Sequence, residues 1–265
     1  MNYKKLLITP SVAREILQSN LANRRVSPLK LNTYYTDMLF GRWKQDTGDT
    51  IRISKTNKLL DGQHRLLAII KANISLEMVI CTDLEDDVMP FIDTGKSRNA
   101  TDVFKIEGIQ NDNKIPSTIT FYERLKKGVA ISGGWNSYTN YQILEMYYER
   151  PEYWQSVVRK AGTWYNNFSK ILPPSFIGGV YAYLQSKHGE KADVFMEMVF
   201  KGTDITNNSI NLLRNRLIQD AMSKSKLSME YRAALFIKTW NLFLQNKESK
   251  VLKYVPENES YPKAL

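Results

Sequence analysis

The sequence predicts an α+β chain, a small mixed α/β unit over residues 1–115 followed by an all-helical unit over 116–265. Three observations carry this. Strand-like runs, KLLIT at 5–9, the Ile51/Ile53 alternation and LEMVIC at 76–81, occur only ahead of Pro116 and are interspersed with helical patterns. Beyond Pro116 strand signals fade and apolar residues recur at helical spacing. The 265 residues are enough for two cores.

In order, KLLIT reads as the first strand, and Ser11 as the cap of a helix through about Leu21 with Val12, Ile16 and Leu17 on one face. Asn23-Arg24-Arg25 breaks the pattern. Ser27-Pro28 supplies an N-cap and a first-turn proline for a helix to about Phe40, closed by Gly41. Ile51 and Ile53 alternate with Arg52 and Ser54 in a strand, and Leu59-Leu60 forms a short buried one. Asp61-Gly62 is a turn, and the helical run goes from Leu66 to Ala72. After LEMVIC come an acidic loop, Asp83 to Asp87, a brief extended piece at Phe91-Ile92-Asp93, and a helix from Asn99 to Ile106. The second unit reads as helices at 117–127, 138–149, 151–168, 174–187, 190–200, 207–223 and 228–246, with an extended tail after them.

Composition bounds the partners. The net charge is +10, divided as +3 over 1–115 and +7 over 116–265, which favours an anionic partner, nucleic acid first. One cysteine, Cys81, excludes a disulfide framework and reads as a small buried hydrophobe. No run approaches the roughly 20 apolar residues of a membrane span, and MNYKKLLITP lacks a secretory h-region, so a cytoplasmic protein is expected.

The chemistry concentrates at Asp61-Gly62-Gln63-His64-Arg65, which follows a strand and opens a helix. Successive N–H groups at a helix start, with a glycine permitting close approach, make an anion site. Arg65 adds a planar donor fork for phosphate, and His64 is an acid/base candidate near neutral pH. Asp61 can orient His64 or hold a magnesium ion. A capped surface turn is the plain alternative.

The run LLDGQHRLLAI resembles the signature of the DGQHR group in the ParB/sulfiredoxin superfamily. The block Phe91-Ile92-Asp93-Thr94-Gly95-Lys96-Ser97-Arg98 is similar to one that follows that turn in many members, often phage-encoded. Asn23 through Met38, Gly41, Arg42 and Trp43 resemble them as well, and Trp240-Asn241 does so more loosely. The resemblance covers residues 5–110 well.

It implies a nucleoside triphosphate, CTP or ATP, with magnesium, held by Gly62, Gln63, His64 and Arg65, with Asp61, His64 and Arg65 as the candidates for any catalysis. Thr94, Gly95, Lys96 and Arg98 would add a second phosphate contact, and Arg24 or Arg25 a third. Gln63 stands where sulfiredoxin carries its catalytic cysteine, so sulfinic acid reduction does not carry over. Gly95-Lys96-Ser97 is not a Walker A motif, because Pro90 occupies its first glycine position.

Three readings stay open. One is a nucleotide-binding, ParB-like protein acting with DNA, nucleoid-associated and a candidate homodimer. Another is an enzyme that transfers or hydrolyses phosphate. The third is a DNA-binding regulatory module. In the basic half, Arg214, Arg216, Lys224 and Lys226 are the DNA-contact candidates, although the tight glycine turn of a helix-turn-helix is missing. The aromatics from Tyr138 to Tyr165 are read mainly as core, and His188 as a helix-end residue.

Overall fold

The computed structural model describes the chain except residues 21–24, 46, 93–97 and 129–137, and the side chains of residues 90 and 91. It forms two compact units, Met1–Ser97 and Arg98–Leu265. The division falls ahead of the helix after Asn99 rather than after it. That helix buries Phe104 completely in the helical core, where the ring meets Tyr147 edge to face at 5.3 Å. Pro116, which the sequence offered as the boundary, instead starts a helix of that unit.

The first unit runs β1 (Asn2–Ile8), α1 (Pro10–Gln18), α2 (Pro28–Leu39), β2 (Thr50–Ser54), β3 (Leu59–Asp61), α3 (Gln63–Ala72) and β4 (Leu76–Leu84), then a 3₁₀ turn, Asp86–Phe91. The strands form one sheet in the order β1-β4-β2-β3. β1 lies antiparallel to β4, β4 parallel to β2, and β2 antiparallel to β3. Ile51 and Ile80 are register partners, so alternation puts Ile51, Met78, Ile80 and Ile8 into one buried cluster with Ala13 of α1 and Leu66 and Ile69 of α3. Residues Asn2 to Leu7 of the outermost strand are exposed. Lys4 and Lys5 there oppose pairing with another sheet edge.

Local chemistry sets the element ends. Pro10 occupies the first turn of α1, so the cap falls on Thr9, not on the expected Ser11. The Thr9 hydroxyl accepts from the Val12 N–H at 3.2 Å, and Ser11 bonds to Thr9 instead. α1 then stops at Gln18, short of Leu21. α2 begins and ends as expected, with Ser27 accepting from the Lys30 N–H. The acidic stretch is not a loop. Asp83 and Leu84 prolong β4, and residues 86–91 wind into the 3₁₀ turn where an extended piece was expected to begin.

The second unit contains α4 (Ala100–Ile106), α5 (Ile115–Lys127), α6 (Asn140–Glu149), α7 (Pro151–Asn167), α8 (Pro174–Lys201), α9 (Asn208–Met222) and α10 (Met229–Leu244). Asn99 with Asp102, and Thr139 with Gln142, close reciprocal caps at the starts of α4 and α6. α8 doubles back on itself. His188 and Gly189 leave helical geometry, and Tyr181 OH donates to Asp193 Oδ1 at 2.8 Å. Those two residues would lie about 18 Å apart along a straight helix. The arms 174–187 and 190–201 are therefore the two helices the sequence predicts, packed antiparallel. Phe176 and Phe200, one from each arm, both contact Phe236 of α10. Gly179 lets α5 approach closely, since a Cβ there would sit 2.7 Å from the Phe121 ring.

The tail after α10 is extended and docked. Asn241 accepts from the Leu265 N–H and donates to the Lys263 carbonyl, while Trp240 is fully buried. Among the described residues no helix is long and apolar enough to cross a membrane.

The α9–α10 connection rests on a buried ion pair. Asp220 Oδ2 lies 2.7 Å from Arg232 Nη2 and 2.8 Å from its Nε, and Oδ1 accepts from the Leu227 N–H at 2.6 Å. Removing one partner strands the other charge in a dry site. Asp220→Ala is therefore expected to cost about 3–5 kcal/mol in urea unfolding, while an apolar replacement of both partners costs far less. A single-variant loss below about 1 kcal/mol would show the pair to be solvated.

Candidate functional site

The candidate site is built where β3 hands over to α3. Leu59 and Leu60 are buried and anchor the strand. Asp61 ends it, opposite Arg52 of β2. Gly62 then turns the chain at φ 111°, ψ 0°, as the residue before the first helical turn. That φ lies in the region open to glycine, and a Cβ would stand 3.1 Å from Ile51 Cγ1. A glycine cap brings no side chain, so no side-chain cap closes the start of α3. The positive end of a ten-residue helix dipole is thus aimed along the turn.

The polar side chains of the turn are largely inside. Gln63, His64 and Arg65 are 4, 5 and 8 % exposed. Gln63 Oε1 accepts from Asn20 Nδ2 at 3.0 Å. His64 Nε2 accepts from the Ser27 N–H at 3.0 Å, which requires an unprotonated Nε2 and places the proton of a neutral ring on Nδ1. Arg65 Nη2 reaches back one turn to Asp61 Oδ2 at 2.6 Å, and Arg52 Nη1 lies 4.0 Å from the same oxygen. Two guanidinium groups therefore share one carboxylate at the mouth of the turn. With side chains 32, 10 and 21 % exposed, Arg52, Arg65 and Asp61 stand between core and solvent.

The other predicted residues divide. Arg25 is exposed, two residues ahead of the Ser27 that bonds His64. Arg24, Thr94, Gly95 and Lys96 lie outside the described residues, as do Asp93 and Ser97. Arg98 is exposed and belongs to the second unit, where its carbonyl accepts from Asn140 Nδ2. No group of three or more His, Cys, Asp or Glu that could hold a metal occurs among the described residues. Trp43 packs edge to face on Tyr34, in the core as expected.

Of the four basic candidates in the helical unit, two are occupied by the fold. Arg214 donates through Nη1 to the Val199 carbonyl and lies over the Phe168 ring at 5.1 Å, and burial lowers its pKa. Lys226 donates to the Asp220 and Ala221 carbonyls at the end of α9. Arg216 and Lys224 are exposed. His188 stands at the α8 break with its ring 6.2 Å from Trp240.

Sequence reasoning missed Arg52, Asn20 and Ser27 as partners of the turn. Arg52 had a signal, an arginine and an aspartate of opposite charge on consecutive strands. Asn20 and Ser27 had none, because 43 and 37 residues separate them from the side chains they hold.

The hairpin that delivers Asp61 is latched from the 3₁₀ turn. Asp86 takes Lys58 Nζ at 2.5 Å and the Thr56 hydroxyl at 2.8 and 2.9 Å. Hydrogen bonds from Lys58 first, then Ser54 and Thr56, lower its pKa to about 2.

Comparison with known proteins returned no match: no family model, curated protein or solved structure aligns with the chain.

Two outcomes are expected. Gly62→Ala destabilises the protein by about 1–3 kcal/mol, because the turn holds an L-residue in a strained conformation against Ile51; an unchanged melt would mean that the turn relaxes. The Asp86 carboxyl titrates near pH 2 by ¹³C NMR, and Lys58→Met raises that midpoint toward the ordinary carboxylate range. Because the folded pKa is the lowered one, the latch contributes fully above that range and is lost as pH falls toward 2.

Proposed function

We propose that the chain is a ParB-like, nucleotide-binding protein acting with DNA, with a nucleoside triphosphate, CTP or ATP, held at the turn from Asp61 to Arg65. The observation that carries this reading is the strand-glycine-helix geometry at Gly62, with Arg52 and Arg65 beside it. A glycine at positive φ permits close backbone approach, the helix start favours anions, and two guanidinium groups add donors in planar forks. Magnesium would reach the site mainly on the nucleotide, with Asp61 as the carboxylate that the Asp61–Arg65 turn itself offers. The basic excess of the helical half supports an accompanying DNA contact.

The geometry favours binding over proton transfer. His64 Nε2 is occupied by the Ser27 N–H, so acid/base work at that nitrogen would first break a hydrogen bond that ties the start of α2 to the turn. Phosphate transfer or hydrolysis would then rest on positioning and charge rather than on a free histidine.

Calorimetry with CTP, ATP, GTP and UTP, each with magnesium, tests the reading. At least one is expected to bind at micromolar affinity. Arg52→Gln, at a side chain exposed enough to leave the fold intact, is expected to weaken it about ten- to a hundredfold, the loss of a charge-assisted hydrogen bond. Binding by none of the four would overturn the nucleotide site. Asp61→Asn separates two roles. Tighter binding identifies Asp61 as an internal counter-ion that competes with phosphate, and binding lost together with its magnesium dependence identifies a metal ligand.

A further inference from the structure

On its outward side α9 carries a row of exposed amides. Its inward face is core, with Ile210, Leu213 and Leu217 fully buried. Outward, Asn211, Asn215 and Gln219 succeed one another at four-residue spacing, all exposed, with exposed Arg216 alongside. The row ends at Met222, 82 % exposed, and at exposed Lys224 in the following turn. α9 itself adds no exposed carboxylate to this face, and an acid of the tail, Glu248, accepts from the Asn208 N–H at 2.8 Å beside its first turn. The one acid of α9, Asp220, is buried and paired with Arg232.

We propose that α9 is a DNA-reading helix, whose exposed face enters the major groove of a duplex. This rests on the DNA-contact part of the function proposed above and names the element that would make the contact. The argument is chemical. Amide side chains carry a donor and an acceptor together, the pair that matches the N6/N7 edge of adenine, and arginine matches the O6/N7 edge of guanine. A row of such groups with a neighbouring cation, and with the nearby acid Glu248 engaged at the helix start, is suited to base edges lying between phosphates. The dimensions allow it, since an α-helix about 10–12 Å across fits a major groove about 12 Å wide. Met222 would meet an apolar surface such as a thymine methyl, while Arg216 and Lys224 neutralise phosphate.

The helix is also firmly presented. Asp220 binds Leu227 N–H and Arg232, and Lys226 closes the last carbonyls of α9, so the turn into α10 is held from inside. Two of the four basic residues expected to touch DNA therefore brace the presentation or the core, and the outward amides take over the reading. That division of labour was not visible in a count of charges.

The experiment uses the full chain. A preferred duplex is selected from a randomised pool, and its affinity is measured by fluorescence anisotropy at several salt concentrations beside a random duplex. Asn215→Ala and Gln219→Ala are each expected to lower affinity for the selected duplex about ten- to a hundredfold and to leave the random duplex unchanged. Arg216→Ala and Lys224→Ala are each expected to weaken both duplexes and reduce the salt slope by about one. Asn166→Ala, at an exposed position of α7, serves as a matched surface change with no effect, and thermal melts confirm folding of every variant.

Selected binding that survives both amide substitutions would overturn the assignment of α9 while leaving DNA contact standing. Failure to bind any duplex at low salt would overturn both. Equal or tighter binding of single-stranded RNA would also overturn it, because that ligand presents no major groove. Nucleotide calorimetry on the same preparation reports the Asp61–Arg65 turn separately, so failure of α9 and failure of the turn are distinguishable.

Discussion

The first unit is organised by a single backbone constraint, that the chain must pass from β3 into α3 at Gly62 while pressed against Ile51. The φ of 111° and the 3.1 Å space beside Ile51 leave room for no side chain. Because the turn is that tight, the three residues after it are carried inward at once. The helix then begins with a glutamine, a histidine and an arginine below 9 % exposure, in a position that apolar residues would ordinarily take. Burying them is tolerable only with partners, and the rest of the unit supplies these. Asn20 comes from the end of α1, Ser27 from the start of α2, and Asp61 from the strand itself. The turn therefore fixes the positions of both preceding helices.

That arrangement changes what the polar residues of the turn can mean. Read along the chain, Gln63, His64 and Arg65 look like uncommitted chemistry. In the folded unit they form a buried polar network around a strained turn. Networks of this kind specify one geometry more than they add stability. Such a network also meets the requirement of a binding site built from backbone, where donors must be rigid before the ligand arrives. The structural and the functional readings are therefore not exclusive. The buried side chains hold the loop still, and the backbone of the turn with Arg52 and Arg65 forms what a phosphate chain would meet.

How much of this was legible follows from the range of the forces involved. Strands and helices set by local alternation and capping could be read, including Ser27-Pro28, Asn99 and the separate helices on either side of Gly189. Local cap signals compete at short range: Ser11 reads as the cap, although a proline at position 10 already places it on Thr9. The unit boundary was misplaced for a related reason. Pro116 signals a helix start as readily as a domain start, and only the burial of Phe104 beside Tyr147 assigns α4 to the helical core. The destinations of polar side chains were the least legible, because a hydrogen bond across 37 or 43 residues leaves no periodicity.

The two faces of charge in this chain show the same limit. A basic excess in the second half is a count, and it says nothing about which cations are already in use. Arg214 is folded over Phe168 and bonded to the Val199 carbonyl, so its charge serves the end of α8. Lys226 does the same for α9, and Arg232 answers Asp220. Subtracting the cations that the fold itself engages leaves a surface less basic than the count suggests. What the fold adds is a row of exposed neutral donors and acceptors, Asn211, Asn215 and Gln219, at four-residue spacing on a helix whose C-terminal end is held by Lys226 and by the Asp220–Arg232 pair.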